Sequence, residues 1–303
     1  MNSKKEIQTT NKSKINDGKI FTVPFDLGLI KDNISISTGK TNKLFQEEAI
    51  NKALILHSKG NISEAINHYK YCIDRGFNDY RVLSNYGVIL RDHGKFKEAE
   101  KIFRKAIQSK PDFSVSYSNL GLILIDLNQF KEAEIYTLKA LEIKPDSAIA
   151  NSNMATILMK LEKQKEAEIY ARKALEIKPD LANANSIMGC IFLNLGNFKQ
   201  AEKYTRKALA INPNLAISYS NLASIMIELD KLEEAQIYVQ KALEIQPDLA
   251  EANANYGLIL RDLGKLKEAE IYLNKAVQIR PDIHIFHREL SICRYIQKDT
   301  LLA

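Results

Sequence analysis

Tryptophan is absent from this chain, cysteine is nearly so, and no apolar run is long. Cys72, Cys190 and Cys293 are far apart, odd in number and outside any Cys-x-x-Cys pair. That pattern speaks against a disulfide framework and against a thiolate zinc site. A membrane-crossing helix needs ~18 consecutive apolar residues, and no run approaches that length. The one apolar stretch near the start, Ile20 to Ile30, is interrupted by Pro24 and Asp26 and follows a polar, lysine-bearing opening, a poor secretory signal. The expectation is a cytoplasmic chain with no membrane partner, no metal and no cofactor. Excess positive charge is also missing from the body. Of the formal net charge of +6, residues 1–44 hold +4, from eight lysines against four acidic residues. The rest is nearly balanced, so nucleic acid is not an expected partner.

Proline is scarce too, yet its placement is the most informative feature. Six of the seven, Pro111, Pro145, Pro179, Pro213, Pro247 and Pro281, recur every 34 residues, each followed by Asp except Pro213, which precedes Asn214. A strict period of this length marks a repeat array, in which each unit buries its apolar face only against its neighbours. With proline at position 32, the units are 80–113, 114–147, 148–181, 182–215, 216–249 and 250–283. An earlier unit fits at 46–79, with Phe77 in place of proline.

Other positions recur in step. Position 8 is always Gly or Ala (Ala53, Gly87, Gly121, Ala155, Gly189, Ala223, Gly257). Position 20 is always Ala, and position 27 is Ala in every unit but the first, which has Cys72. Small residues at these offsets let two helices approach closely. Position 15 is Gly or polar, a helix stop. Positions 20, 24, 27 and 28 form an apolar stripe at helical spacing, as in Ala99, Phe103, Ala106 and Ile107. The proline ends the second helix, and the Asp or Asn at position 33 is placed to cap the next. Each unit reads helix, turn, helix, turn.

This pattern resembles the tetratricopeptide repeat family across residues 46–283, although the family's frequent Trp at position 4 is replaced by Tyr117 and Tyr219 in two units. The resemblance implies an all-α, right-handed superhelical solenoid of helix-turn-helix repeats. Residues 284–303 continue the register as a C-terminal capping helix. Residues 1–44, with no repeat and few helix formers, are expected to be a disordered polar, basic tail. Its one apolar patch, Phe21 to Ile30, could dock on the concave groove or belong to a mobile tail.

Catalytic and nucleotide motifs do not emerge. Thr38-Gly39-Lys40-Thr41 imitates the end of a phosphate-binding loop, but the earlier glycine is Ile34 and no strand precedes it. His284 and His287, with Cys293 nearby, lack a fourth metal ligand. The tyrosines at position 23 (Tyr136, Tyr170, Tyr204, Tyr238, Tyr272) fit inter-repeat packing better than a stacking platform.

The family resemblance implies that the first helix of each repeat lines a concave groove through positions 2, 5, 6, 9, 12 and 13. Position 6 reads Asn51, Asn85, Asn119, Asn153, Ile187, Asn221 and Asn255. A row of amides offers donors and acceptors to the main chain of an extended peptide, similar to the asparagine ladder of O-linked N-acetylglucosamine transferases. The same column could equally serve the fold. Where Ile187 interrupts it, Asn183, Asn185 and Asn194 lie in the same repeat. Arg91 with Asp92 and Arg261 with Asp262 give polar ends, and Leu122, Ile125, Met159, Leu193 and Ile227 an apolar floor. The basic clamp of the family's chaperone-tail binders is missing, because position 5 carries Ile50, Ala254 and serines. The expected function is a non-catalytic scaffold binding a protein or peptide, with micromolar affinity, about −8 kcal/mol. A recruiting module for a separately encoded glycosyltransferase or methyltransferase is the alternative, and an RNA-binding helical array a more distant one.

Overall fold

A computed structural model describes residues 42–302, with side chains described from 44 to 298. Among them are fifteen α-helices and no strand. The chain divides into two compact units, Met1–Pro111 and Asp112–Ala303. The first contains α1 (Asn42–Ser58), α2 (Ile62–Asp74), α3 (Tyr80–Asp92) and α4 (Phe96–Ser109). The second contains α5 (Ser114–Asp126), α6 (Phe130–Ile143), α7 (Ala148–Lys160), α8 (Gln164–Ile177), α9 (Ala182–Asn194), α10 (Phe198–Ile211), α11 (Ala216–Glu228), α12 (Leu232–Ile245), α13 (Ala250–Asp262), α14 (Leu266–Ile279) and α15 (His284–Leu302). Both units are built of stacked helix pairs, the all-α repeat solenoid that the 34-residue period implies.

In the second unit the odd-numbered helices touch one another in succession, α5 to α7 and onward to α15. Among the described residues no two of α6, α8, α10, α12 and α14 touch. Helices that are close on one side and apart on the other define a curved stack. The first helix of each pair therefore lies on the inner side and the second on the outer side.

The period is enforced by two turns. At position 15 the seven residues Gly60, Gly94, Asn128, Glu162, Gly196, Asp230 and Gly264 all have φ between +56° and +78°. The next amide closes back over the helix end, as in Gln129 N–H to the Leu124 carbonyl at 2.7 Å, so the left-handed residue ends each first helix. At the other turn, the residue before each proline is forced out of the helical region. Lys110, Lys144, Lys178, Asn212, Gln246 and Arg280 have φ between −131° and −143°. The first repeat is the natural control. With Phe77 in place of proline, Arg75 stays helical at φ −79°, and Gly76 turns the chain with φ +76°.

The small residues mark the closest approaches. Every residue at positions 20 and 27 is fully buried, Cys72 included. At Gly121 a Cβ would lie 2.2 Å from Thr137 Oγ1, and at Gly257 2.6 Å from Leu273 Cγ.

Two expectations are corrected. Position 33 is not the helix cap. The cap is position 34, where Asp79 accepts from the Arg81 and Val82 amides and Ser147 from the Ala150 amide. The Asp after each proline sits one residue earlier, exposed in the turn, because Pro-Asp supplies the two central turn residues. Helix α1 begins at Asn42 and so includes residues 42–44, assigned above to the tail; the rest of that tail, with its apolar patch and the Thr38–Thr41 segment, lies outside the described residues. Three of the position-23 tyrosines make ring contacts within their own repeat. Tyr136 meets Tyr117, Tyr204 stacks on Phe192 at 5.5 Å, and Tyr272 meets Tyr256 at 4.6 Å. The expected packing between repeats is also present: Tyr170 and Tyr204 pack on a core cluster drawn from two repeats, and Tyr238 is bonded by Arg206 of the preceding repeat at 3.1 Å.

Candidate partner-binding surface

The inner face of the second unit carries Asn119, Asn153, Asn221 and Asn255 on successive first helices, with Ile187 among them. Two of these amides are partly committed to the fold. Asn153 Nδ2 donates to the carbonyl and hydroxyl of Ser118, each at 3.2 Å. Asn255 Nδ2 donates to the carbonyl and hydroxyl of Ser220 and to Ser224 Oγ, the last at 2.8 Å. Position 6 of one repeat thus clasps the position-5 serine of the repeat before it. Asn221 lacks this clasp because its would-be partner, Ser186 Oγ, is taken by Ser218 Oγ at 2.8 Å. Neither Asn119 nor Asn221 is in a hydrogen bond among the described residues, and the Oδ1 atoms of Asn153 and Asn255 are likewise unengaged there. Asn153 and Asn221 are buried, at 5% and 8% exposure, whereas Asn119 and Asn255 are half-buried.

The asparagines of position 4 have a different role, one that the sequence did not reveal. Asn151, Asn185 and Asn253 are fully buried, and each Nδ2 donates to the proline carbonyl six residues earlier, at 3.1–3.2 Å, and to the carbonyl four residues earlier, at 2.8–2.9 Å. His287 at position 4 of α15 repeats this with Pro281 at 2.9 Å. The Pro-x₅-Asn spacing was the available signal. Asn185 is thus spent inside the fold and does not replace the amide missing at Ile187, and Asn194 is bonded to Gln164 at 3.1 Å. Cys293 is buried with Sγ on the Leu266 carbonyl, and no group of metal-ligating residues occurs among the described residues.

On the same helices, Leu122, Ile125, Met159, Leu193 and Ile227 are all half-buried, and Met159, Leu193 and Ile227 pack against core clusters. At the far end Arg261 is held by Glu289 of α15 at 2.6 Å and by Asp262 at 3.0 Å. Burial alone would lower the Arg261 pKa; the two carboxylates outweigh it and hold it above its ordinary value. This arginine is built into the packing of α15. In the first unit, Asn51 is half-buried and Asn85 buried, while Arg91 is half-buried, Asp92 is exposed, and both have interaction partners. His57, on α1, is buried against Tyr69, Nδ1 to hydroxyl 2.8 Å.

Tetratricopeptide repeat models match residues 80–113, 115–147, 148–181, 182–215 and 214–282. The chain belongs to the tetratricopeptide repeat family. The similarity to other tetratricopeptide repeat structures is one of fold. A solved tetratricopeptide repeat protein of Parabacteroides merdae superposes with a TM-score of 0.57 at 19% identity, over 82% of this chain and 98% of that one. A chain of the APC/C hetero-tetramer Cut9–Hcn1 gives 0.67 at 14% identity, over 84% of this chain and 49% of that one. The pilF protein of Pseudomonas aeruginosa gives 0.52 at 17% identity, over 70% and 96%. A comparison with curated protein sequences finds no match. Among the described residues no helix of this tetratricopeptide repeat chain is long and apolar enough to cross a membrane.

Proposed function

We propose that the inner face of the Asp112–Ala303 unit binds an extended segment of a partner protein. The family and the fold support a protein-interaction scaffold in general. The finer reading rests on one observation: half-buried apolar side chains at Leu122, Ile125, Met159, Leu193 and Ile227 run beside amides whose Oδ1 atoms are unengaged. The apolar row supplies anchors, and the amides accept from main-chain N–H groups without reading side chains. Each such bond contributes about 0.5–1.5 kcal/mol net, while ordering each peptide residue costs about 1–2 kcal/mol. The amides therefore set register and direction, and the apolar anchors supply most of the affinity.

The test is a peptide-display selection against the full chain, followed by titration of a selected peptide with wild type and with Ile125→Glu/Met159→Glu. Two charges in the floor should weaken binding at least about tenfold, which is 1.4 kcal/mol, with helicity unchanged. Equal affinity for both would remove the ligand from this face.

A further inference from the structure

Helix pair α1–α2 has no repeat before it, and the surface this leaves differs from the rest of the molecule. In later repeats positions 4 and 7 of the first helix are covered by the preceding repeat: Asn151 and Met154, or Asn185 and Met188, are buried to 1% exposure or less. In the first repeat the same positions hold Ala49, half-buried, and Lys52, exposed. They border a cavity of about 430 Å³, lined by Phe45, Glu48, Ala49 and Lys52 from α1 and by Asn67, His68 and Tyr71 from α2. Phe45 is 47% exposed and the adjacent Leu44 55%. An open-ended stack requires a terminal face that is either polar or covered, and this one has a largely apolar pocket whose charged lining residues are Lys52 and Glu48.

We propose that the chain's own segment Ile20–Ile30 fills this pocket. The segment, Ile-Phe-Thr-Val-Pro-Phe-Asp-Leu-Gly-Leu-Ile, carries two phenylalanines and one charge, Asp26. Asp26 is complementary to Lys52 on the pocket wall. Pro24 denies one backbone donor, so the segment docks through side chains rather than by extending a helix pair. The tether has the required length. Eleven residues, 31–41, separate Ile30 from the start of α1 at Asn42. A random-coil chain of eleven residues spans about 17–20 Å root-mean-square. The pocket residues of α1 lie about 5–15 Å along the helix from its start. A linker matched to its span gives an effective concentration in the millimolar range. Side-chain docking of only millimolar intrinsic affinity therefore keeps the pocket about half filled, and two aromatic anchors take it further.

The absence of tryptophan supplies the probe. In the full chain, Phe25→Trp or Phe21→Trp is the sole tryptophan. At least one of the two should emit to the blue of the same chain in denaturant and resist iodide quenching, at all protein concentrations. Adding Ala49→Arg, which fills the pocket, or Lys52→Asp, which opposes Asp26, should move the emission toward the solvent value, with circular dichroism unchanged. Lys52 is exposed, so its variant keeps the test valid if Ala49→Arg does not fold. Solvent-like emission from both reporters overturns the proposal. So does a blue shift that grows with protein concentration, which would place a second copy in the pocket. A shift insensitive to both pocket variants but lost in Ile125→Glu/Met159→Glu would overturn it in favour of docking on the inner face.

Discussion

Where position 8 is glycine, position 24 of the same repeat closes over it, and single atoms decide the contact. Gly121 faces Thr137 and Gly257 faces Leu273 with no room for a methyl group, whereas Ala155 faces Ala171. Gly121→Ala should therefore destabilise by about 1–3 kcal/mol through overpacking, despite the helix preference for alanine. Adding Thr137→Ala recreates the Ala155–Ala171 pair and removes a buried hydroxyl that has no partner. Denaturant unfolding of the two single variants and the double variant should give a strongly favourable coupling. Additive effects would mean that the two residues do not share the space. Glu162 is the opposite case, a side chain held at φ +60°. The left-handed region costs such a residue about 1–2 kcal/mol, and glycine returns part of that as backbone entropy. Glu162→Gly should therefore raise stability by about 0.5–1 kcal/mol, read as a higher denaturant midpoint. The glycine column at position 15 made this turn legible in the sequence, and Asn128, Glu162 and Asp230 adopt the same geometry without glycine. The position-4 asparagines were not legible as locks, because their partner is a carbonyl that composition does not reveal.

The helix pair was readable wherever a backbone constraint sets a boundary, and least readable at the caps. Proline ends each second helix by acting on the residue before it. The following Asp looked like a cap because caps and turns favour the same residues. The inner-face asparagines were ambiguous for a related reason: one amide can clasp a neighbouring serine through Nδ2 and still present Oδ1. Helix pair α1–α2 differs from the others in holding an ionisable pair in its interior. Burial pushes His57 below its ordinary value of 6.5, and Nε2 has no hydrogen-bond partner among the described residues. Burial likewise pushes Tyr69 up. With the folded pKa below the unfolded one, the histidine has its full stabilising effect above about pH 6.5. As pH falls the unfolded chain takes up the proton first, and stability drops by up to ~1.4 kcal/mol per pH unit until the folded pKa is passed. Hydrogen exchange of α1–α2 should accelerate between pH 6.5 and 5 in wild type, relative to His57→Gln at each pH. Parallel profiles would mean that His57 does not report on this pair.

At the scale of the molecule the second unit is held together by neighbours only, since each helix touches its own partner and the adjacent pair. Stability in such a stack is a sum of local terms and interfaces, so damage at one end should remain there. Helix α15 provides the test. Leu290 and Cys293 share a cluster with Leu260, Ala269 and Leu273, and Phe286 closes over Ala250, Ala254 and Ala276. The Arg261–Glu289 pair adds a fixed contact across the same interface. The solvent side of α15 is mixed: Ile285, Ile292 and Tyr295 are exposed beside Arg288 and Lys298, so the helix buries one apolar face without ending the stack in a wholly polar one. Leu290→Ala should cost about 2–5 kcal/mol at this interface. Hydrogen exchange should then show protection falling in α13, α14 and α15 while α5 to α8 keep theirs. A uniform fall across the unit would mean that the pairs unfold as one cooperative body and that the interfaces outweigh the individual repeats. A fall confined to α15 would mean that α13–α14 stands without it. The burial of Leu273 and Ala276 beneath Leu290 and Phe286 favours the intermediate outcome, because removing that cover exposes the second helix of the last repeat along its core-facing side.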